Sequence, residues 1–278
     1  MNSPPEQKIA LITGASSGIG RVTAEELAAR GYKVFLACRS EAKTRPIIEA
    51  IAKRTGDAQR AEFLPLELGD FKSVRACAEM FLSRNVPLHL LINNAGLAGR
   101  GMTASGFETT FGVCHVGHFL LTQLLLARLK ATAPARIVNV ASRAHTRARE
   151  FSFDMIRKPA KGVSWPQYCQ AKLANVLFTK ELARRLQDSR VTSYAVHPGV
   201  VATDIWRSLP KSLAWFAKLF MISEERGAAT TLYCATESSL ANESGCYYAD
   251  CRRTEPTLLA GDAALAQQLW EESERWTS

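Results

Sequence analysis

Short apolar runs rich in β-branched residues recur along the chain, separated by stretches of helical period. Lys8–Thr13 (KIALIT), Lys33–Cys38 (KVFLAC), Glu62–Leu68, Leu88–Asn93 (LHLLIN), Arg136–Ala141 (RIVNVA), Val191–His197 and the short Cys246–Ala249 predict strands. Between them, Arg21–Arg30, Glu41–Arg54, Phe71–Arg84, Ser105–Lys130, Gln167–Gln187, Glu224–Thr236 and Ala263–Glu274 predict helices, with Gly31 closing the first. The strands are apolar throughout rather than alternating, as strands covered on both faces are. Strand–helix alternation without a linker or an internal repeat predicts one α/β domain over residues 1–278. The expected form is a single doubly wound Rossmann domain around a parallel sheet of seven strands, with a short polar tail at residues 1–7.

Composition adds few constraints. A chain of 278 residues that is 47% hydrophobic can bury a core without staples, and it reads as soluble and globular. The net charge of +9 is spread thinly, with no dense Lys/Arg run and no aromatic-basic alternation, so a solvated basic surface is expected and nucleic acid is not. The seven cysteines are odd in number and form no CxxC pair. They argue against a disulfide framework or a structural zinc, and for a reducing, cytoplasmic setting. The opening residues carry no signal-peptide pattern, and no apolar stretch reads as long enough to span a bilayer.

Chemistry enters between the first strand and helix, at Thr13-Gly14-Ala15-Ser16-Ser17-Gly18-Ile19-Gly20. Glycines there permit a tight turn and a close backbone approach to a pyrophosphate, while the helix behind presents unpaired N–H groups and its positive end. Ser16 and Ser17 add hydroxyl donors. The second strand ends in Cys38-Arg39, with no carboxylate to bind a ribose 2′-hydroxyl or repel a 2′-phosphate. Arg39 can pair with that phosphate, and Arg21 can add charge, so NADP(H) is favoured over NAD(H).

Helix Gln167–Gln187 opens on Tyr168-Cys169-Gln170-Ala171-Lys172. Four residues apart, the phenol and the ammonium share a helix face, and the ammonium favours the phenolate. Such a pair can exchange a proton near neutral pH. Ser142 ends the fifth strand at the sheet edge where ligands sit, and Asn93-Asn94-Ala95-Gly96 follows the fourth.

Together these motifs resemble the short-chain dehydrogenase/reductase family over nearly the whole chain. Thr13–Gly20, Asn93–Gly96, Ser142, Tyr168 with Lys172, and Pro198 to Thr203 match it in order. Ala37–Ser40, His115–Thr122, Lys172–Phe178 and His197–Val201 resemble its retinol-dehydrogenase-like branch. The resemblance implies that Tyr168 is the proton donor and acceptor, that Lys172 lowers its pKa and holds the nicotinamide ribose, and that Ser142 orients the carbonyl. It also implies cofactor contacts from Gly14, Ser16, Ser17, Gly18, Ile19, Gly20, Arg39, Asn94, Ala95 and Gly96. Glu67 and Leu68 are implied against adenine, and Pro198, Gly199, Val201 and Thr203 near the nicotinamide.

Two residues depart from the family pattern. Glu67 is one methylene longer than the usual Asp. Cys114 stands where the family has an Asn whose surroundings feed protons to the lysine, and a thiol cannot replace the amide hydrogen bonds. A buried packing role for Cys114 stays open. His115 and His118 read as packing residues rather than metal ligands, so no metal is expected. Arg143, His145, Arg147 and Arg149 read as a solvated cluster.

In residues 203–222 the side chains of Ile205, Trp206, Leu209, Leu213, Trp215, Phe216 and Phe220 suggest a segment covering a hydrophobic substrate: a retinoid, steroid, lipid aldehyde or aromatic ketone. Core burial of this segment, or a weak contact with a membrane surface, stays open. So does a homo-oligomer through the helices around Phe119 and Tyr168. The expected activity is NADP(H)-dependent interconversion of a carbonyl and an alcohol. The alternative is a catalytically weak NADP-sensing or scaffold protein. Restoring the amide by Cys114→Asn is expected to raise kcat, and an unchanged rate in steady-state assays rejects that account.

Overall fold

The computed structural model describes residues 7–159, 165–199 and 223–278. Its strands are β1 (Ile9–Thr13), β2 (Lys33–Cys38), β3 (Ala61–Pro65), β4 (Leu90–Asn93), β5 (Ala135–Val140), β6 (Val191–His197), β7 (Cys246–Ala249) and β8 (Arg252–Arg253). They form one sheet in the order β3-β2-β1-β4-β5-β6-β7-β8. The first seven run parallel, as the apolar runs predict, and only β8 is antiparallel. This eighth strand was not anticipated. Asp250 and Cys251 turn the chain with φ of 51° and 57°, so β8 folds back on β7 through a two-residue turn without glycine.

The helices are α1 (Gly18–Ala29), α2 (Glu41–Thr55), α3 (Phe71–Ser83), α4 (Thr109–Phe111), α5 (Gly117–Thr132), α6 (Trp165–Arg185), α7 (Glu224–Thr236) and α8 (Ala263–Thr277). Side-chain caps fix several starts: Ser40, Asp70, Ser223 and Asp262 accept the N–H groups of Lys43, Lys72, Arg226 and Leu265. The strand pleat sends Ala10 and Ile12 to a core with α1, α2 and α7. Ile9 and Leu11 face a second core with α3, α5 and α6. A buried amide ladder then ties α6 to the sheet: Asn93 Nδ2 donates to Asn139 Oδ1 at 2.8 Å, and Asn139 Nδ2 donates to Thr179 at 3.0 Å.

The sequence predicts one long helix at Ser105–Lys130. The structure instead starts at Thr109 and inserts a π turn at Gly112–Val116 between α4 and α5. The run Thr109–Thr132 is long and apolar enough to cross a membrane by length and composition, contrary to the sequence expectation. In the fold, 78% of its most apolar window is buried. Covering it from outside is α8, whose Trp270 meets Phe119 edge-on at 5.0 Å and stacks on Phe178 at 5.8 Å. Arg185 lies over the same indole at 4.5 Å, and Ser273 bonds His115 Nε2 at 3.1 Å. The aromatic face around Phe119 is therefore covered by the chain's own helix.

Burial pushes His115 down to about 3 and His118 and His197 down to about 4. Unfolded, each titrates near its ordinary value, so the unfolded chain binds the extra protons at mildly acid pH. The stability these rings contribute is complete above about pH 6.5 and is lost as pH falls from there toward the folded values. Thermal melting between pH 7.5 and about 5 should show a falling Tm with proton uptake on unfolding approaching about three per molecule. A flat Tm over that window contradicts this.

Candidate active site

The strand order places β1 between β2 and β4, so the chain crosses from one side of the sheet to the other at the ends of β1 and β4. A crevice opens there, outside the carboxyl ends of the strands. It is a cleft of about 1170 Å³. Every site residue that the sequence nominates within the described residues lines it: the loop Gly14 to Gly20, Arg39, Glu67 and Leu68, Asn94 to Gly96, Ser142, Tyr168 with Lys172, and Pro198 with Gly199. Val201, Thr203 and the segment 203–222 lie outside the described residues, as do residues 1–6 of the tail. A smaller depression of about 420 Å³ between α1 and α7 holds none of the nominated residues.

The glycine loop is shaped by contact with the end of β4. Gly14 has φ of 66°, and a Cβ there would lie 2.9 Å from Ala95 Cα. A Cβ on Gly20 would lie 2.4 Å from the Gly14 carbonyl oxygen and 2.5 Å from Asn94 Nδ2. Asn94 Nδ2 in turn donates to the Thr13 carbonyl at 2.8 Å. Behind the loop, Ser17 sits at the N-terminus of α1 with extended backbone and no side-chain cap bond. Its hydroxyl and the first-turn N–H groups of α1 are thereby left for a ligand, and an anionic group fits that end of the helix. The cradle therefore fits a dinucleotide diphosphate.

The adenosine end differs from expectation in two ways. Arg21 does not point its charge into the cleft; it pairs with Glu25 at 3.0 Å and with Glu224 at 2.8 Å. Although the end of β2 carries no carboxylate, the chain after β3 brings one. Glu67 accepts the Gly69 N–H at 3.1 Å and approaches Arg39 to 3.6 Å. Both side chains are largely exposed, so this ion pair is weak and leaves Arg39 able to take another partner. Lys43, which the sequence reading missed, lines the same end of the cleft with Arg39 and Ser40. Its signal was its place in the first turn of α2, with Ser40 as the cap.

At the other end, α6 delivers Tyr168 and Lys172, which are 9% and 2% exposed. Lys172 Nζ lies 5.7 Å from the Tyr168 ring centre and donates to the Val140 carbonyl at 2.9 Å. Burial pushes the Tyr168 phenol up, while Lys172 and the Ser142 hydroxyl draw it back; the net direction is upward. This corrects the expected lowering, because the ammonium acts as foreseen but desolvation outweighs it. Ser142 follows β5 and accepts the Ala144 N–H at 3.1 Å. Trp165, unforeseen, is 50% exposed on the cleft edge and stacks on Tyr168 at 5.6 Å and 24°. It stands three residues before Tyr168, one turn away on the same helix.

Cys114 is fully buried in the π turn, and its thiol contacts the Leu97 carbonyl oxygen at 3.5 Å. Its own carbonyl accepts from His118 Nδ1 at 3.1 Å. A Cβ on Gly96 would lie 3.4 Å from Lys172 Nζ and 3.5 Å from Cys114 Sγ, so the thiol and the ammonium flank that glycine. Of the cluster read as solvated, Arg143, Arg147 and Arg149 are exposed but His145 is buried.

The family described as short chain dehydrogenase matches residues 8–214. Retinol dehydrogenase 12 of Homo sapiens is 46% identical over 270 residues, covering 96% of this chain and 85% of the relative. Retinol dehydrogenase 11 of Homo sapiens is 43% identical over 270 residues, covering 96% and 84%. Among solved structures, an uncharacterised protein from Mycobacterium paratuberculosis superposes with a TM-score of 0.76 at 36% identity, covering 98% of this chain and 93% of that one.

The crowding at Gly20 yields a direct test. Gly20→Ala should lower the Tm and weaken dinucleotide binding by at least about tenfold, because backbone and amide atoms rather than a flexible tip occupy the space. Calorimetric titration with NADP(H) checks this, and native-like affinity refutes it.

Proposed function

The chain belongs to the short chain dehydrogenase family, and from that premise we propose that it is an NADP(H)-dependent oxidoreductase interconverting a carbonyl and an alcohol on a hydrophobic substrate. The observation that carries the proposal is the meeting of Ser142, Tyr168 and Lys172 in the cleft that the glycine loop also lines. A retinoid is the favoured substrate, given the resemblance to two retinol dehydrogenases. The apolar side chains of residues 203–222 and the indole of Trp165 suit a long or planar apolar molecule. Seven free thiols favour a reducing, cytoplasmic setting.

The residues divide the work as follows. Gly14, Ser16, Ser17, Gly18, Ile19 and Gly20 would hold the diphosphate. Arg39 and Lys43 would hold the 2′-phosphate, and Asn94 to Gly96 with Lys172 would line the riboses. Pro198 and Gly199 would flank the nicotinamide, which supplies or accepts the hydride at the carbonyl carbon. In the reducing direction, the Tyr168 hydroxyl gives its proton to the carbonyl oxygen, so that hydride plus proton make the alcohol. The Ser142 hydroxyl donates to the same oxygen and orients it. The Lys172 ammonium stabilises the phenolate left behind; in the oxidising direction the same phenolate takes the proton back. Burial makes that phenolate costly when the cleft is closed to water, so Lys172 is needed most at that point.

A panel of retinal, other aldehydes and ketones with NADPH tests this reading. Turnover is expected, and Tyr168→Phe should lower kcat by about a hundredfold or more while leaving NADPH affinity within about twofold. Arg39→Asp should shift the NADPH-to-NADH preference by at least about tenfold toward NADH. Tight NADPH binding without turnover, unchanged by Tyr168→Phe, favours the sensor or scaffold alternative.

A further inference from the structure

Immediately after β5 the chain makes a single 3-10 turn, Arg143–Arg147, with Ser142 at its start. The N–H groups that open this turn are all committed. Arg143 N–H donates to His197 Nδ1 at 3.3 Å, Ala144 N–H donates to Ser142 Oγ at 3.1 Å, and His145 N–H donates to the Ser142 carbonyl at 3.1 Å. That carbonyl has a second donor. His145 Nδ1 lies 2.7 Å from the same oxygen.

A carbonyl oxygen can only accept, so the hydrogen of this imidazole sits on Nδ1. Burial of the ring keeps its pKa below the ordinary value, so the imidazole is neutral and Nε2 bears no hydrogen. Among the described residues Nε2 has no hydrogen-bond partner, and the ring's single bond is the one to Ser142. The ring is 1% exposed and meets the Tyr247 ring edge-on at 4.8 Å and 72°. It therefore cannot swing away without opening the core beneath the turn.

We infer that His145 is a positioning residue for the Ser142 hydroxyl: its Nδ1–H and its own backbone N–H pin the Ser142 carbonyl from two sides, which fixes the backbone from which the serine side chain points. With the carbonyl held and one of the two Oγ lone pairs taken by the Ala144 N–H, the serine keeps its hydrogen to aim across the cleft. His145 does not itself line the cleft, so its influence on the reaction runs through Ser142. This inference rests on the activity proposed above, in which that hydroxyl orients the reacting oxygen.

A packing residue at this place needs no donor, so leucine would serve as well. Asparagine is smaller but carries an N–H near the place of Nδ1; glutamine carries one only near Nε2. His145→Asn should therefore keep kcat within about threefold of the parent chain, while His145→Leu and His145→Gln lower it about tenfold. KM and NADPH affinity should stay unchanged in all three. An asparagine variant as slow as the leucine variant, or a leucine variant as fast as the parent, overturns the inference.

A second measurement needs no variant to be active. Imidazole 15N–1H correlation on the unsubstituted protein with NADPH should show His145, one of five histidines, as the Nδ1–H tautomer. An Nε2–H tautomer overturns the clamp whatever the kinetics. If the unsubstituted protein turns over no carbonyl, the proposed activity fails, and the tautomer still decides whether the clamp exists.

Discussion

One hydroxyl joins the two halves of this fold. Thr13, the last residue of β1, accepts the N–H groups of Asn94 and Ala95 at 3.0 and 2.9 Å. It also lies 2.8 Å from His118 Nε2. The directions of these bonds follow from chemistry. His118 Nδ1 faces the Cys114 carbonyl, which can only accept, so Nδ1 carries the hydrogen and Nε2 must accept. The threonine O–H then points at the imidazole at 2.8 Å rather than at the Ile92 carbonyl at 3.4 Å, and its lone pairs stay open for the two backbone donors. Were the ring charged, Nε2 would become a donor and compete with those N–H groups for the threonine oxygen. Deep burial prevents that by holding the ring neutral. The crossover at which the cleft opens is in this way locked by a side chain on each side and a helix behind.

The cleft places opposite electrostatic demands at its two ends. Toward the adenosine end the side chains are exposed, and Arg39 and Glu67 sit in water where their attraction is weak. That is where a charged ligand can compete for a partner. Toward the reacting end Tyr168 and Lys172 are buried, and the ammonium rests on a carbonyl rather than a carboxylate. A carboxylate there would neutralise Lys172 and cancel its pull on the phenol. A carbonyl accepts the hydrogen bond and leaves the full positive charge facing the tyrosine.

Most of this was legible in the chain because each feature is local. Strands buried on both faces declare themselves as apolar runs, and a glycine cluster between a strand and a helix needs no tertiary information to interpret. Helical spacing puts Tyr168 and Lys172 on one face, and the glycine loop, Asn93–Gly96 and Ser142 single the pair out. What stayed hidden depends on position in space. Strand β3 stops at Pro65, short of the expected Leu68, because β2 ends at Cys38, whose carbonyl takes the Leu66 N–H, and the Glu67 carboxylate then accepts the Gly69 N–H as the chain turns into the cleft. The π turn at Gly112–Val116 shifts the helix by one residue, which hydrophobic periodicity cannot register. The exposed surroundings of Arg143 and Arg147 made His145 look solvated, since one buried residue in a polar run leaves no periodic trace. The upward net shift of Tyr168 needed a count of what desolvates it, and sequence gives only its neighbours.

Trp270 is the plug of the α5–α6 aromatic face, and it lies far downstream of both Phe119 and Phe178. Chains leave the ribosome N-terminus first, so the phosphate cradle, α6 and six of the parallel strands precede α8 in synthesis. The flank that α8 covers is therefore the last part of the α5–α6 surface to gain its partner.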